Sequence, residues 1–190
     1  MSERPSGSRS IVKIRSDVTT DTLYAGPSQT PAPADPLLGA RTRSGSDIAA
    51  QVKALDAARQ AQGDSIELSD GYIRTATEYG AHGPEGFNAM MYNLNQAIDV
   101  RTNVLEANDP LLGTTYRYAY NVSAGKVPPE ASIIYLKNSM HVWEQLATQT
   151  QLPAFVTDHY LNTGYKNLSL LYQATNQAEL AAQATSKIRK

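Results

Sequence analysis

The first 46 residues of the chain hold too few apolar side chains to build a hydrophobic core. They are rich in Ser, Pro, Gly and Thr, and four prolines fall between residues 26 and 36. A segment of this composition cannot bury enough apolar surface to offset the entropy that is lost on ordering. We therefore predict an extended, basic and proline-rich arm over residues 1–46, which a neighbouring subunit, a nucleic acid or both would hold in place.

After the arm, apolar residues recur at the spacing of helices. Ile48, Val52 and Leu55 mark the first helix, which we expect to begin at Ser46. Further helices are expected from Ser69 or Asp70, from Pro84, from Pro128 and Pro129, and from Pro153, with an interruption at Gly164 and a last helix through Leu168 and Leu180. The pattern predicts an all-α fold, a helical bundle of about four to six helices over residues 47–186, followed by a basic tail at 187–190.

The tyrosine-rich segment in the middle of the chain allows two interpretations. Tyr116, Tyr118 and Tyr120 alternate as they would in a strand, whereas Leu112 and Ala119 fall with Tyr116 on one face of a helix. We favour the helix, because the rest of the pattern is helical.

The same tyrosines also allow two functional interpretations. Interleaved with Arg117, they suit stacking on single-stranded bases. Tyrosine is equally suited to interfaces that are both apolar and hydrogen-bonding. We favour packing between subunits, with Tyr116, Tyr118, Tyr120 and Trp143 as the interface residues.

The sequence lacks the residue patterns on which most enzymes and metalloproteins depend. There are no cysteines, and the histidines His82, His141 and His159 lie far apart. His141 and Glu144 are three residues apart, but di-iron bundles need several Glu-x-x-His units in the opposite order. No Gly-rich phosphate loop, Walker lysine or G-x-S-x-G motif occurs. We predict no enzyme activity, no metal site, no cofactor and no small-molecule substrate.

The positive charges of the chain are clustered, although its formal net charge is −1. Arg41, Arg43, Lys53 and Arg59 run from the arm into the first predicted helix, and the chain ends in further basic residues. Arg and Lys neutralise phosphates whatever the base sequence. We infer nucleic-acid binding that is not sequence-specific through these four residues. The alternative is that they form the solvated face of a surface helix.

A short motif joins the second and third predicted helices. Residues 79–84 read Y-G-A-H-G-P. Together with the basic arm and the helical body, this resembles the Y-G-x-x-G-P turn of the major capsid proteins of rod-shaped viruses of hyperthermophilic archaea. The longer chain and arm are more similar to the enveloped filamentous relatives of those viruses, whose shells use two paralogous capsid proteins.

The resemblance implies a structural capsid protein that is located in the virion. Subunits paired with themselves or with a paralogue would wrap linear double-stranded DNA as A-form and stack into a helical filament, which an envelope can surround. It also implies a DNA contact at Arg74, and contacts of Arg9, Lys13 and Arg15 with DNA or with a neighbouring subunit.

Three other functions stay open at this point. A coat protein of a flexible filamentous RNA virus would also combine helices with extended arms, and would bind single-stranded RNA. A non-viral helical adaptor would dock its arm on a protein partner. An enzyme would need His141 and Glu144 as its reactive pair.

Overall fold

The computed structural model describes residues 44–188, and every regular element in that range is a helix. In chain order these are α1 (Gly45–Gln62), α2 (Ile66–Gly80), a 3₁₀ turn (Gly83–Gly86), α3 (Phe87–Val104), α4 (Pro110–Ser123), α5 (Pro129–Gln149), α6 (Ala154–Val156), a π-helical turn (Thr157–Asn162), α7 (Thr163–Ala174) and α8 (Ala178–Ser186). The predicted all-α fold is confirmed, with more helices than the four to six expected. The predicted arm up to residue 43 lies outside the described residues.

Helix α1 begins earlier than the sequence suggested. The hydroxyl of Ser44, and not that of Ser46, accepts a hydrogen bond from the backbone N–H of Asp47 at 3.3 Å. Ser44 has the extended backbone that an N-cap residue needs, whereas Ser46 already lies inside the helix. The last residues assigned to the arm therefore belong to α1.

Helix α2 also begins earlier than predicted, at Ile66 instead of Ser69 or Asp70. The hydroxyl of Ser65 accepts a hydrogen bond from the backbone N–H of Leu68 at 3.1 Å and caps the helix. Ser69 is buried within α2 and donates its hydroxyl to the carbonyl oxygen of Ile66 at 2.7 Å. Both serines are good capping residues, so only the backbone conformation distinguishes them.

The tyrosine-rich segment is helix α4, as we favoured. Asp109 caps it by accepting a hydrogen bond from the backbone N–H of Leu111 at 2.7 Å, and Pro110 occupies the first helical position. Leu112 and Ala119 are buried, which fits the helical face read from the sequence.

Two predictions near the C-terminus are wrong. Gly164 does not interrupt a helix, because α6 continues through the π-helical turn into α7 and Gly164 is buried there, where an added Cβ would lie 2.7 Å from Sδ of Met140. The last predicted helix is in fact two. Asn176 has a φ of 58°, and the backbone N–H of Gln177 bonds the carbonyl oxygen of Tyr172 at 2.8 Å, which ends α7 before α8 begins.

The hydrophobic core is a series of linked clusters, since each helix packs mainly against its neighbours in the chain. One cluster joins α1, α2 and α3 through Leu55, Tyr72 and Val100. Another joins α5 and α7 through Leu136 and Leu168, and includes residues of α4 and α8. Polar side chains that reach from one helix to the next therefore help to fix the positions of the helices.

The Y-G-A-H-G-P joint forms a tight turn between α2 and α3. Gly83 has a φ of 70°, a value that favours glycine, and Pro84 lies in the 3₁₀ turn that leads into α3. The third helix thus begins after the proline, with one 3₁₀ turn before it. Gly86 lies so close to the end of α2 that an added Cβ would be 2.0 Å from the carbonyl oxygen of Tyr79.

The substitution Gly86→Ala should lower the free energy of unfolding by roughly 1–3 kcal/mol, because the clash is with backbone that cannot move aside alone. Gly45→Ala is the matched control, since its Cβ would meet no atom within 4 Å. We expect the control to be neutral or slightly stabilising. Urea unfolding followed by circular dichroism measures both, and equal effects would contradict the close packing of this turn.

Candidate nucleic-acid and subunit interfaces

The sequence assigned nucleic-acid contacts to eight cations, and three of them lie in the described residues. The other five lie outside that range: Arg9, Lys13, Arg15, Arg41 and Arg43. Lys53 is exposed on α1 and Arg74 is exposed on α2, whereas Arg59 is partly buried near the end of α1. Lys53 and Arg74 therefore face solvent, whereas Arg59 contacts other side chains of the fold.

Arg59 holds the loop between α1 and α2 against α3. Its Nε donates to Oδ1 of Asp64 at 2.7 Å, one terminal nitrogen donates to Oε1 of Gln96 at 2.8 Å, and the other forms an ion pair with Asp99. Asn103 donates to the second oxygen of Asp64 at 2.6 Å. The bonds from Arg59 and Asn103 hold the pKa of Asp64 below its usual range. A phosphate would have to compete with two carboxylates for this guanidinium.

Arg101 is buried at the meeting point of α2, α3 and α4, with only 4% of its surface exposed. Its Nε donates to the hydroxyl of Ser69 at 2.9 Å, and a terminal nitrogen pairs with Oδ1 of Asp70 at 2.5 Å. On α4 it bonds the hydroxyl of Thr115 and, at 3.4 Å, the carbonyl oxygen of Leu111. Burial lowers the pKa of Arg101, and Asp70 opposes that shift. The role of this charge is structural, because a ligand cannot reach it.

Arg117 is buried between α4 and the π-helical turn. It donates to the carbonyl oxygen of Tyr160 at 2.6 Å, and its guanidinium lies 5.7 Å from the centroid of the Tyr160 ring and 6.0 Å from that of Tyr120. Stacking of bases around Arg117 is therefore the wrong interpretation for this residue, since the fold covers it.

Two of the four residues predicted at a subunit interface lie inside the subunit. The ring of Trp143 stacks on that of Tyr160 with 4.0 Å between centroids, and Tyr120 is 8% exposed in the core around α5. Tyr116 and Tyr118 are only partly buried on α4. Of these four residues, only Tyr116 and Tyr118 therefore keep exposed surface that a partner subunit could contact.

A cleft of about 220 Å³ opens between α5, α7 and α8, and it contains the His141 and Glu144 pair. Each of the two binds another side chain: Glu144 accepts a hydrogen bond from the hydroxyl of Tyr165 and lies 3.6 Å from Nζ of Lys187. Nε2 of His141 lies 3.0 Å from the side-chain amide nitrogen of Gln145. The structure therefore brings His141 and Glu144 to one cleft but does not couple them to each other.

Within residues 44–188, no group of three or more His, Asp or Glu side chains is placed to hold a metal ion. Across the same range, no helix is both long and apolar enough to span a membrane.

His82 is exposed in the turn between α2 and α3. At the π-helical turn, burial and the charge of Arg117 lower the pKa of His159.

Comparison of the sequence with models of known protein families and with curated proteins found no match.

The sequence analysis missed the structural role of Arg101, although a signal for it was present. Leu94, Ala97 and Arg101 follow one another at helical spacing, so Arg101 lies on the apolar face of α3. An arginine on such a face needs polar partners, because burial of an unpaired charge is costly. The identity of those partners, on α2 and α4, is not visible in the pattern.

The substitution Arg101→Leu should lower the free energy of unfolding by about 2 kcal/mol or more, because Ser69 and Thr115 lose a hydrogen-bond partner and three helices lose their common contact. Arg74→Leu removes an exposed arginine of α2 and should change stability by less than about 0.5 kcal/mol. Urea unfolding of the two variants compares them directly. A similarly small effect at both positions would show that Arg101 does not join the helices.

Proposed function

We propose that this chain is a structural coat subunit that binds nucleic acid without reading its sequence and polymerises around it. In its most specific form, the proposal is a major capsid protein of a filamentous virus, which wraps linear double-stranded DNA as A-form in a helical virion. Its partners are the DNA and other subunits, either copies of this chain or a paralogue. The proposal includes no catalytic step and no cofactor.

The observation that carries the proposal is the separation of charge along the chain. Residues 44–188 contain nine Lys and Arg against fourteen Asp and Glu, a formal charge of −5, whereas residues 1–43 contain six against four and the last two residues are both basic. Three of the four arginines in the described residues, Arg59, Arg101 and Arg117, are bound within the fold. An acidic body with basic ends suits a polymer in which the ends meet phosphate or the acidic bodies of neighbouring subunits.

Two exposed cations of the body support the same arrangement. Lys53 lies on α1 and Arg74 on α2, and these two helices pack against each other. Helix α1 is also the first helix after the basic N-terminal residues. In the proposed polymer, α1 and α2 are therefore the helices of the body that contact DNA.

The joint at residues 79–84 adds local support. Gly83 and Pro84 lie in a tight turn after α2, and a helix follows the proline, as the resemblance to archaeal capsid proteins implies. The motif is short and touches no nucleic acid in the proposal, so it supports the family resemblance and not a particular DNA contact.

A protein-binding adaptor is the second candidate, and the acidic body favours it. A surface with a net charge of −5 repels phosphate at low salt but can accept a basic protein segment. The two candidates differ in one respect that is easy to measure, because an adaptor copurifies with no nucleic acid.

We expect the full-length chain, purified from cells that hold its nucleic acid, to form filaments in electron micrographs. DNase treatment should digest the nucleic acid that is released from disrupted filaments, and RNase should not. Digestion by RNase alone would favour an RNA coat protein, and filaments without nucleic acid would favour a protein assembly.

The matched variant is the chain shortened to residues 44–190, which keeps the Ser44 cap of α1. It should retain the helical circular dichroism signal because the described clusters lie within it. It should not form filaments, since the basic N-terminal segment is gone. Normal filaments from this variant would show that residues 1–43 do not connect subunits.

Exposed cations that contact phosphate should also contribute to the salt dependence of DNA binding. Each contact with duplex DNA contributes about −0.9 to the slope of log K against log salt, so the double variant Lys53→Gln, Arg74→Gln should reduce that slope by about two. Lys166→Gln, an exposed lysine on α7, is the control and should leave it unchanged. Fluorescence anisotropy with a duplex measures all three proteins, and an equal slope throughout would remove α1 and α2 from the DNA interface.

A further inference from the structure

The cleft between α5, α7 and α8 combines apolar and charged side chains, and none of its lining residues is a proposed nucleic-acid contact. Met140, Leu168 and Tyr172 are buried along its floor, and Leu180 of α8 is 38% exposed on its wall. Its volume is about 220 Å³. Such a space suits a pair of aliphatic side chains from an extended segment, and it is too small for a folded domain.

The rim of this cleft carries more positive than negative charge. Lys137 and Lys187 lie on it with a single carboxylate, that of Glu144. Glu144 already accepts a hydrogen bond from Tyr165 and pairs with Lys187, whereas Lys137 is exposed on α5. A segment that brings one carboxylate next to two apolar side chains would complement both the rim and the floor.

We propose that the cleft of one copy receives Asp35, Leu37 and Leu38 of another copy of this chain. This inference rests on the proposed assembly of subunits into a polymer. Leu37 and Leu38 are the only adjacent leucines in residues 1–43, and Asp35 supplies a carboxylate two residues earlier. The leucines fill the apolar floor, and Asp35 pairs with Lys137.

The length of the connecting chain favours a neighbouring copy. Leu38 precedes Ser44 by six residues, which span about 20 Å when fully extended. Ser44 caps α1, and α1 packs on α2, whereas the cleft is built from α5, α7 and α8. Because this tether starts at α1 and not at a helix of the cleft, we assign the segment to the cleft of an adjacent subunit.

The other apolar run of the N-terminal residues fits this cleft less well. Ile11 and Ile14 are interleaved with Lys13 and followed by Arg15. These cations would meet like charge at the rim, which disfavours docking.

The same tetrapeptide occurs once more within the described residues. The sequence D-P-L-L at residues 35–38 recurs at residues 109–112. There Asp109 accepts a backbone hydrogen bond at 2.7 Å and Leu112 is 5% exposed in the core. There the tetrapeptide caps and begins α4, and it places one of its two leucines in the core.

Disulfide cross-linking tests the proposal cleanly, because the chain has no cysteine. One full-length chain carries Gly39→Cys, next to the leucines, and a second chain with a different tag carries Gln183→Cys at the cleft. After mixing under assembly conditions and mild oxidation, we expect a cross-linked dimer of the two chains on a non-reducing gel. Adding Leu37→Asp and Leu38→Asp to the first chain should slow its formation about tenfold or more.

Two matched pairs show whether the contact is specific. Gln173→Cys replaces an exposed glutamine of α7 that does not line the cleft, and with Gly39→Cys it should cross-link at least about tenfold more slowly. Ser10→Cys places the thiol beside the other apolar run, and with Gln183→Cys it should also be slow. Equal rates for the Gln183 and Gln173 positions, or a faster reaction from Ser10, would overturn the proposal.

The experiment separates this inference from the proposed function. Filaments that contain nucleic acid but give no preferred Gly39–Gln183 cross-link would refute the docking and leave the coat function standing. A preferred cross-link in assemblies without nucleic acid would support the docking and refute the coat function.

Discussion

The guanidinium of Arg101 is a buried polar contact that α2, α3 and α4 share. Burial of a charge is costly unless polar groups replace the water that is lost. Once Arg101 lies on the apolar face of α3, Asp70 and Ser69 of α2 and Thr115 of α4 have to be placed around it. This requirement adds directional contacts to the apolar cluster of Ala76, Leu94 and Ala119, which joins the same three helices.

Three arginines are bound inside the fold, and this affects the charge that the exposed surface of the body carries. Arg59 and Arg117, like Arg101, bind carboxylates or backbone carbonyls of their own chain, and the carboxylates that stay exposed give the body a negative charge. Positive charge is concentrated at the two ends of the sequence. The proposed coat function follows from this division, because each part of the chain then has a different natural partner.

The order of packing also accounts for the position of the cleft that we propose as the binding site of a second copy. Each helix rests mainly on its neighbours in the chain, and α8 therefore rests mainly on α7. The cleft lies at the C-terminal end of this series of helices, between α5, α7 and α8, with Leu180 on its wall. In the proposal, a segment of another chain fills this cleft, which a closed bundle of helices would cover.

Local sequence was sufficient for the class of the fold and for most of its helices. The apolar period of 3.6 residues and the prolines at helix starts depend on residues a few positions apart, so the all-α class and the helical state of the tyrosine-rich segment could be read directly. The helix ends could not be predicted as well. Ser44 and Ser46 are equally good capping residues by type, as are Ser65 and Ser69, and only the backbone conformation decides which serine caps the helix. The roles of Arg59 and Arg101 were decided only in three dimensions. Asp64 is only five residues from Arg59, but Asp99, the other carboxylate partner of Arg59, and Asp70, the partner of Arg101, lie 40 and 31 residues away, and no local pattern records a contact over such a separation.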